Sequence, residues 1–268
     1  MPAIQLARLK IQSAELVTRF NDPAAFVRGL HDLLDFYADR TRKPGQSGEP
    51  PPLIKSYNVP RPVLRQIKTD LSPSVVMDRE SALVLCDALW AEPYLEFRVL
   101  AVNILGLVPP DPPDDDLERI NVWAVPGIED RLLNALVKEG LIEVSKSTPE
   151  RYLSQLEEWL AAEDDLSLRV GLKAISMMLA DRDFENLPKI FRLLAPLVRT
   201  SPSQLRPDLL DVIQSLAKRS PNETAFFLRQ NLSVMVDNDD TAWLIRNSAR
   251  YFPEEVQNSL KTALREGR

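Results

Sequence analysis

Apolar residues recur three or four positions apart along almost the whole chain, the spacing that gathers them on one face of an α-helix. Leu6, Leu9, Ile11, Leu16 and Val17 predict a helix over 3–21. Asp22-Pro23 supplies a cap and a first-turn proline for a second helix to about Arg40. Residues 41–60 hold Gly45, Gly48 and Pro50-Pro51-Pro52 and read as an extended loop. A short helix over 61–71 follows, then a pair over 77–91 and 93–107, broken at Glu92-Pro93. Pro109 to Asp116 reads as a stiff acidic loop whose aspartates cap the next helix. Helices over 117–124 and 128–139 come next, with Gly140 as the residue that ends the second.

The pattern is more regular beyond that point. Thr148-Pro149-Glu150 opens a helix to about Ala162, and Leu166 to Ala180 is the most apolar helix. Leu187-Pro188, Pro207 and Pro221 open helices to about Arg199, Lys218 and Met235, and 240–250 and 253–266 make the last pair. No strand-like alternation of useful length occurs. The expected fold is all-α: a right-handed α-α superhelix of HEAT-like repeats, about 12 helices in a single curved domain. Within it, 1–40 form an N-terminal helical pair, 41–60 a Pro/Gly-rich loop and 61–268 the solenoid. An ordinary helical domain without a true repeat is the alternative.

Composition narrows the chemistry. The chain has 22 Pro but only 8 Gly in 268 residues. Sheet-rich folds and nucleotide-binding α/β folds need more positive-φ turns and glycine-rich phosphate loops than eight glycines supply. Prolines fit in the first turns of helices. Cys86 is the one cysteine, so a disulfide framework and a cysteine-rich zinc site are excluded, and a buried small hydrophobe is its expected role. His31 is the one histidine, which rules out two-histidine metal sites; its helical setting predicts a polar helix-surface residue. Asp114-Asp115-Asp116 lacks further ligands, so no metal and no cofactor are expected. No apolar run is long enough to span a bilayer and no signal-peptide core is present, so a cytoplasmic protein without membrane partners is expected.

Charge is segregated. The chain carries a net −6, yet 41–68 hold Arg42, Lys43, Lys55, Arg61, Arg65 and Lys68 against Glu49 alone. Residues 187–219 hold Lys189, Arg192, Arg199, Arg206, Lys218 and Arg219 against Asp208 and Asp211, while 109–164 are strongly acidic. If both basic stretches reach one concave face, that face can hold a phosphate backbone. An unevenly charged, solvated surface is the plain alternative.

Three stretches resemble the HEAT-like-repeat alkylpurine DNA glycosylases, the DNA alkylation repair family. Tyr57-Asn58-Val59-Pro60-Arg61-Pro62-Val63-Leu64-Arg65-Gln66-Ile67 resembles that family's entry motif. Leu89-Trp90-Ala91-Glu92-Pro93-Tyr94-Leu95-Glu96-Phe97-Arg98-Val99-Leu100-Ala101 resembles its Leu-Trp to Glu-x-Arg motif, and Leu166-Ser167-Leu168-Arg169-Val170-Gly171-Leu172 its Trp-x-x-Arg motif. Asp208 to Leu228 resembles the last repeat, giving a coverage of about 50–235. The resemblance implies a basic groove that binds double-stranded DNA. In active members it also implies hydrolysis of the N-glycosidic bond of a cationic alkylated purine, helped by a carboxylate and aromatic faces and needing no histidine.

The resemblance also assigns candidates. The family places a tryptophan four residues before its catalytic aspartate; here Trp123 fits the tryptophan and the fourth position is Gly127, in Trp123-Ala124-Val125-Pro126-Gly127. Glu129 and Asp130 are the nearby carboxylates. Trp123, Arg169, Arg61, Arg65, Lys189 and Arg192 are the DNA-binding candidates. For Trp123 the other reading is interhelical packing; for Arg169 it is a helix-start arginine paired with Asp164 or Asp165. Three functions stay open: a DNA-binding relative without efficient glycosylase activity, a non-enzymatic protein-interaction scaffold, and an active glycosylase using Glu129 or Asp130.

Overall fold

The computed structural model describes residues 5–40, 54–181, 184–234 and 239–266. Among them the chain is all-helical, and one parallel bridge between Lys55 and Tyr94 is its strand-type pairing. The chain divides into two compact units, Met1–Tyr152 and Leu153–Arg268.

The first unit holds α1 (Leu6–Val17), α2 (Pro23–Tyr37), α3 (Arg61–Met77), α4 (Arg79–Trp90), α5 (Leu95–Leu105), α6 (Asp114–Trp123), α7 (Asp130–Ala135) and α8 (Ile142–Ser147). A single π-helical turn, Leu136–Gly140, continues α7. The helix α9 (Pro149–Ala161) carries the chain across the division. The second unit holds α10 (Asp165–Ala180), α11 (Leu187–Thr200), α12 (Arg206–Arg219), α13 (Pro221–Ser233), α14 (Asp239–Ser248) and α15 (Glu254–Glu266).

In each unit a helix packs on its neighbour in sequence and on the next but one. In the first, α1 meets α2 and α3, α2 meets α4, and α3 meets α4 and α5. In the second, α10 meets α12, α11 meets α13, and α12 meets α13 and α14. This is the local pattern that stacked helix pairs produce. The residues that drive it lie one turn apart: Val63, Ile67, Leu71 and Val75 form a fully buried stripe on α3. On α12 the stripe is Leu209, Val212, Ile213 and Leu216. Each such side chain contributes on the order of 1.5–3 kcal/mol by leaving water. Cys86 is among the buried residues, and burial pushes its thiol well above its ordinary range.

Local chemistry sets the boundaries. Asp22, Asp78, Asp164 and Asn186 cap α2, α4, α10 and α11 through a side-chain oxygen on a first-turn N–H. Pro23, Pro62, Pro188, Pro207 and Pro221 occupy first-turn positions, as expected.

Three expectations need correction. The helix expected over 61–71 runs to Met77, through Pro73, because the buried stripe continues to Val75. The aspartates at 114–116 are not a loop but the first turn of α6, where carboxylates meet the helix's positive end. Gly140 is not the residue past its helix but the last residue of the π turn that continues it, and α8 starts after Leu141. That turn makes a close approach to Gly106, where a Cβ would lie 1.7 Å from the Glu139 carbonyl oxygen, so only glycine fits there. The helical pair expected over 1–40 is α1 and α2, which lie in the first unit with α1 on α3 and α2 on α4. Residues 41–53 of the expected loop lie outside the described residues.

Candidate functional site

The Trp123 segment comes first, because it carries the expected catalytic position. Helices α4 and α6 run side by side in the same direction. Arg79 pairs with Asp115 at 2.9 Å, Arg119 with Asp87 at 2.8 Å, and Trp90 stacks on Trp123. The indole centroids are 4.5 Å apart with 9° between planes. Trp123 is 3% exposed. Expected as a DNA contact, it is instead a packing residue, since a face committed to Trp90 is not available to a nucleotide. The Arg98 guanidinium lies 5.2 Å from the centroid of the Trp90 ring.

Beyond Trp123 the helix stops and Val125 to Ile128 make a turn, closed by Ile128 N–H on the Val125 carbonyl at 3.0 Å. Gly127 takes φ +83°, the left-handed region that glycine enters without a Cβ penalty. A Cβ built there meets no heavy atom within 4 Å, so backbone shape and not crowding selects glycine. The two neighbouring carboxylates are placed differently. Glu129 is half-buried and accepts the Ile54 N–H at 2.9 Å. Asp130 is exposed at the first position of α7.

Ile54 begins a strap, residues 54–60, that ties the first two resembling stretches together. Glu96, 5% exposed in the first turn of α5, is the anchor. It accepts from the Ser56 hydroxyl at 2.7 Å, the Tyr57 N–H at 3.1 Å and the Asn58 N–H at 2.8 Å. Asn58 reaches φ 54° to aim its N–H there, a conformation asparagine tolerates. Leu95 N–H bonds the Lys55 carbonyl at 2.8 Å, and Tyr57 stacks on Tyr94 with centroids 4.7 Å apart.

His31 of α2 enters the same cluster. Its Nδ1 is 2.7 Å from the Tyr57 hydroxyl and its Nε2 is 3.2 Å from Glu92. With the proton on Nε2 it donates to Glu92 and accepts from Tyr57. Its ring lies 4.3 Å from that of Phe97. The expectation of a surface histidine is corrected: the ring is half-buried and links the N-terminal pair to the strap and α5. Burial, then the adjacent Tyr94, pushes the Tyr57 hydroxyl up to about 12, so it stays a donor at neutral pH.

In the second unit the organising group is Asp208, 5% exposed in the first turn of α12. Arg169 Nε donates to its Oδ2 at 3.0 Å, and Lys173 Nζ lies 2.9 Å from its Oδ1. Arg169 is therefore paired, but not with Asp164 or Asp165. Asp164 caps α10 through the Ser167 N–H, and Asp165 accepts from Gln204. Lys189 pairs with Glu157 at 2.7 Å. Arg206 pairs with Asp240 and lies 4.3 Å from the centroid of the Trp243 ring. Arg219 donates to the carbonyl of Leu179 in the last turn of α10 and to those of Asp181 and Phe184 beyond it. Arg192 is exposed, as are Arg61 and Arg65 one turn apart at the start of α3. No ion pair is found for these three among the described residues.

Sequence reasoning missed Glu96, His31, Glu92, Asp208 as an anchor, and Lys173. A signal existed for two of them. Glu96 interrupts an apolar helix start, and Lys173 stands one helical turn after Arg169. Among the described residues no group of three His, Cys, Asp or Glu is arranged to hold a metal, and no helix is long and apolar enough to cross a membrane.

The family model described as DNA alkylation repair enzyme matches residues 52–252. That range includes the strap, the Trp123 turn and the Asp208 cluster, and leaves α1 and α2 outside. No curated protein matches the chain.

Proposed function

The chain belongs to the DNA alkylation repair enzyme family, and from that premise we propose that it binds duplex DNA through the phosphate backbone without efficient excision of alkylated bases. Gly127 carries the reading. It stands where the resemblance puts the catalytic carboxylate, and glycine brings no carboxylate. Removing a group that stabilises developing charge typically costs ~10²–10³ in rate. Glu129 is two residues away but is engaged with the Ile54 N–H, and moving it would release the strap's first anchor. On the binding side, Arg61 and Arg65 offer two exposed guanidinium groups on one helix face, the geometry that suits phosphate oxygens.

The test is a methylated duplex. The expected result is binding that weakens steeply with salt and no release of alkylated purine above the buffer background. Replacing Arg61 and Arg65 together with alanine lowers the log–log salt slope by about 2. Release of alkylated purine that is abolished by Glu129→Gln or Asp130→Asn overturns the non-excising part.

A second reading, a protein-interaction scaffold, draws on one observation. Within the basic 187–219 stretch, Lys189 and Arg206 pair with carboxylates and Arg219 is spent on carbonyls. Absence of duplex binding at low salt favours that reading over the first.

A further inference from the structure

Two arginines, one in each unit, are held in the same way up to a point. Arg206 of α12 donates from Nε to the Ser201 carbonyl at 3.1 Å, and its guanidinium lies 4.3 Å from the centroid of the Trp243 ring. Arg98 of α5 donates from Nε to the Glu92 carbonyl at 3.2 Å, and its guanidinium lies 5.2 Å from the centroid of the Trp90 ring. Arg206 then completes the arrangement with a carboxylate, Asp240, which accepts from Nη2 at 3.1 Å. Arg98 has no ion pair among the described residues, and neither of its Nη groups has a hydrogen-bond partner there. The neighbouring acidic side chains are committed elsewhere: Glu92 faces His31, Glu96 holds the strap and Glu129 accepts from Ile54. Among the described residues, side-chain polar atoms that are both fully buried and unpartnered belong to Ser13, Asp70 and Asp116, so the unpartnered Nη groups of Arg98 reach solvent.

The Nε edge and one face of this guanidinium are therefore fixed, while the Nη edge, which forms parallel bonds to an oxyanion, is open. Arg98 also stands in the first turn of α5, where the helix end is positive and disfavours a cation. An anion on the Nη edge relieves that repulsion. It also meets a side chain that is already ordered, so less rotamer entropy is lost on binding. The strap ties the starts of α3 and α5 together, so Arg98 lies at the same end of neighbouring helices as Arg61 and Arg65. One phosphodiester strand can run across both helix starts. We infer that Arg98 is an oxyanion-binding residue whose occupant is a backbone phosphate of duplex DNA. This rests on the DNA-binding reading and extends it from α3 to α5, beside the Trp90–Trp123 stack that leads into the Gly127 turn.

The test is anisotropy of a labelled duplex oligonucleotide against salt, for the full chain and its variants, with melting temperatures to confirm folding. Arg98→Gln lowers affinity about 5- to 10-fold near 0.1 M salt and drops the log–log slope by about 1. Arg98→Lys keeps the charge and so the slope, but not the flat fork, and binds about threefold more weakly than the unaltered chain. A folded Arg98→Gln variant with unchanged affinity and slope overturns the inference. If Arg98→Gln does not fold, Arg98→Lys decides alone, and affinity equal to that of the unaltered chain overturns the fork. Inorganic phosphate, compared with chloride at matched ionic strength, separates the sources of the anion. A rise in melting temperature that Arg98→Gln abolishes, with duplex binding untouched, assigns the fork to a free anion and overturns the DNA occupant. If the unaltered chain shows no salt-dependent binding, the DNA reading falls and this contact falls with it. If it binds, and replacing Arg61 and Arg65 lowers the slope while Arg98→Gln does not, only this contact falls.

Discussion

Glu96 in the first unit and Asp208 in the second occupy matching places. Each is 5% exposed, each lies in the first turn of a helix, and each ties together two stretches far apart in sequence. Their partners are of opposite kinds. Glu96 is held by a hydroxyl and two backbone N–H groups, all neutral and all from three consecutive residues. Asp208 is held by two side-chain cations from one helix face. Neutral donors stabilise the carboxylate and fix the strap's backbone, with no charge left to display. Cationic donors stabilise the carboxylate by ion pairing as well as by hydrogen bonding. A buried carboxylate of the first kind is a lock. One of the second kind is a lock made of charge.

The largest expected effect breaks the lock. Glu96→Ala strands the Tyr57 N–H, leaves the Asn58 N–H to the Ser56 hydroxyl alone and removes three hydrogen bonds to a charge, a loss of about 4 kcal/mol. Urea unfolding followed by tryptophan fluorescence reports it. Amide exchange at Tyr57 and Asn58 rises in the same variant; unchanged exchange there would show that the strap is held by Tyr57–Tyr94 stacking instead.

Asp116 supplies the contrast case, a buried carboxylate with neither kind of donor. It is 1% exposed, neither oxygen accepts a hydrogen bond among the described residues, and Arg79 approaches only to 3.7 Å. Burial, only partly offset by Arg79 and Arg119, raises its carboxyl to about 7. The unfolded carboxyl ionises near 3.9. The native state therefore keeps a proton that the unfolded chain has lost. From this group, stability is fully present below about pH 4, declines as pH rises, and stops declining past about 7. The loss is on the order of 4 kcal/mol. Asp116→Asn, which mimics the protonated form, flattens that dependence; an equally steep decline in the variant would place its cause elsewhere.

Helix existence was largely legible in the sequence, because the apolar stripes of α3 and α12 keep a spacing that only a helix turns into one face. Boundaries failed where tertiary contacts decided them. Pro73 reads as a stop, yet the stripe through Val75 carries α3 past it. The π turn at Leu136–Gly140 lies against Gly106, a close approach that no local pattern reveals. The candidate site was half legible. The resembling stretches pointed to Trp123 and Arg169, and an identity cannot say which face of Trp123 is free. Arg169 was expected to pair with a carboxylate four or five residues away, but its partner lies 39 residues along the chain. The same is true of Glu96 and of His31, whose partners are set by packing between helices and not by spacing.

Asp208→Asn tests the second lock for stability alone. It leaves two cations facing a neutral amide, and a loss of about 2 kcal/mol is expected, smaller than at Glu96 because Lys173 and Arg169 can turn towards water. Thermal unfolding in low and high salt separates the parts. The loss shrinks in high salt if repulsion between the freed cations contributes.

The smallest effect belongs to the turn that no carboxylate holds. Gly127 is kept by φ +83° and by one backbone hydrogen bond across the turn, and its Cβ position is open. Gly127→Ala therefore carries only the backbone penalty of the left-handed region, about 1 kcal/mol. Gly127→Asn, whose side chain tolerates that region, costs roughly half as much. The order Gly, Asn, Ala in urea midpoints follows if conformation alone selects glycine. A loss of several kcal/mol in both variants would mean that a side chain at 127 collides with something, and that the position is closed to any carboxylate as well.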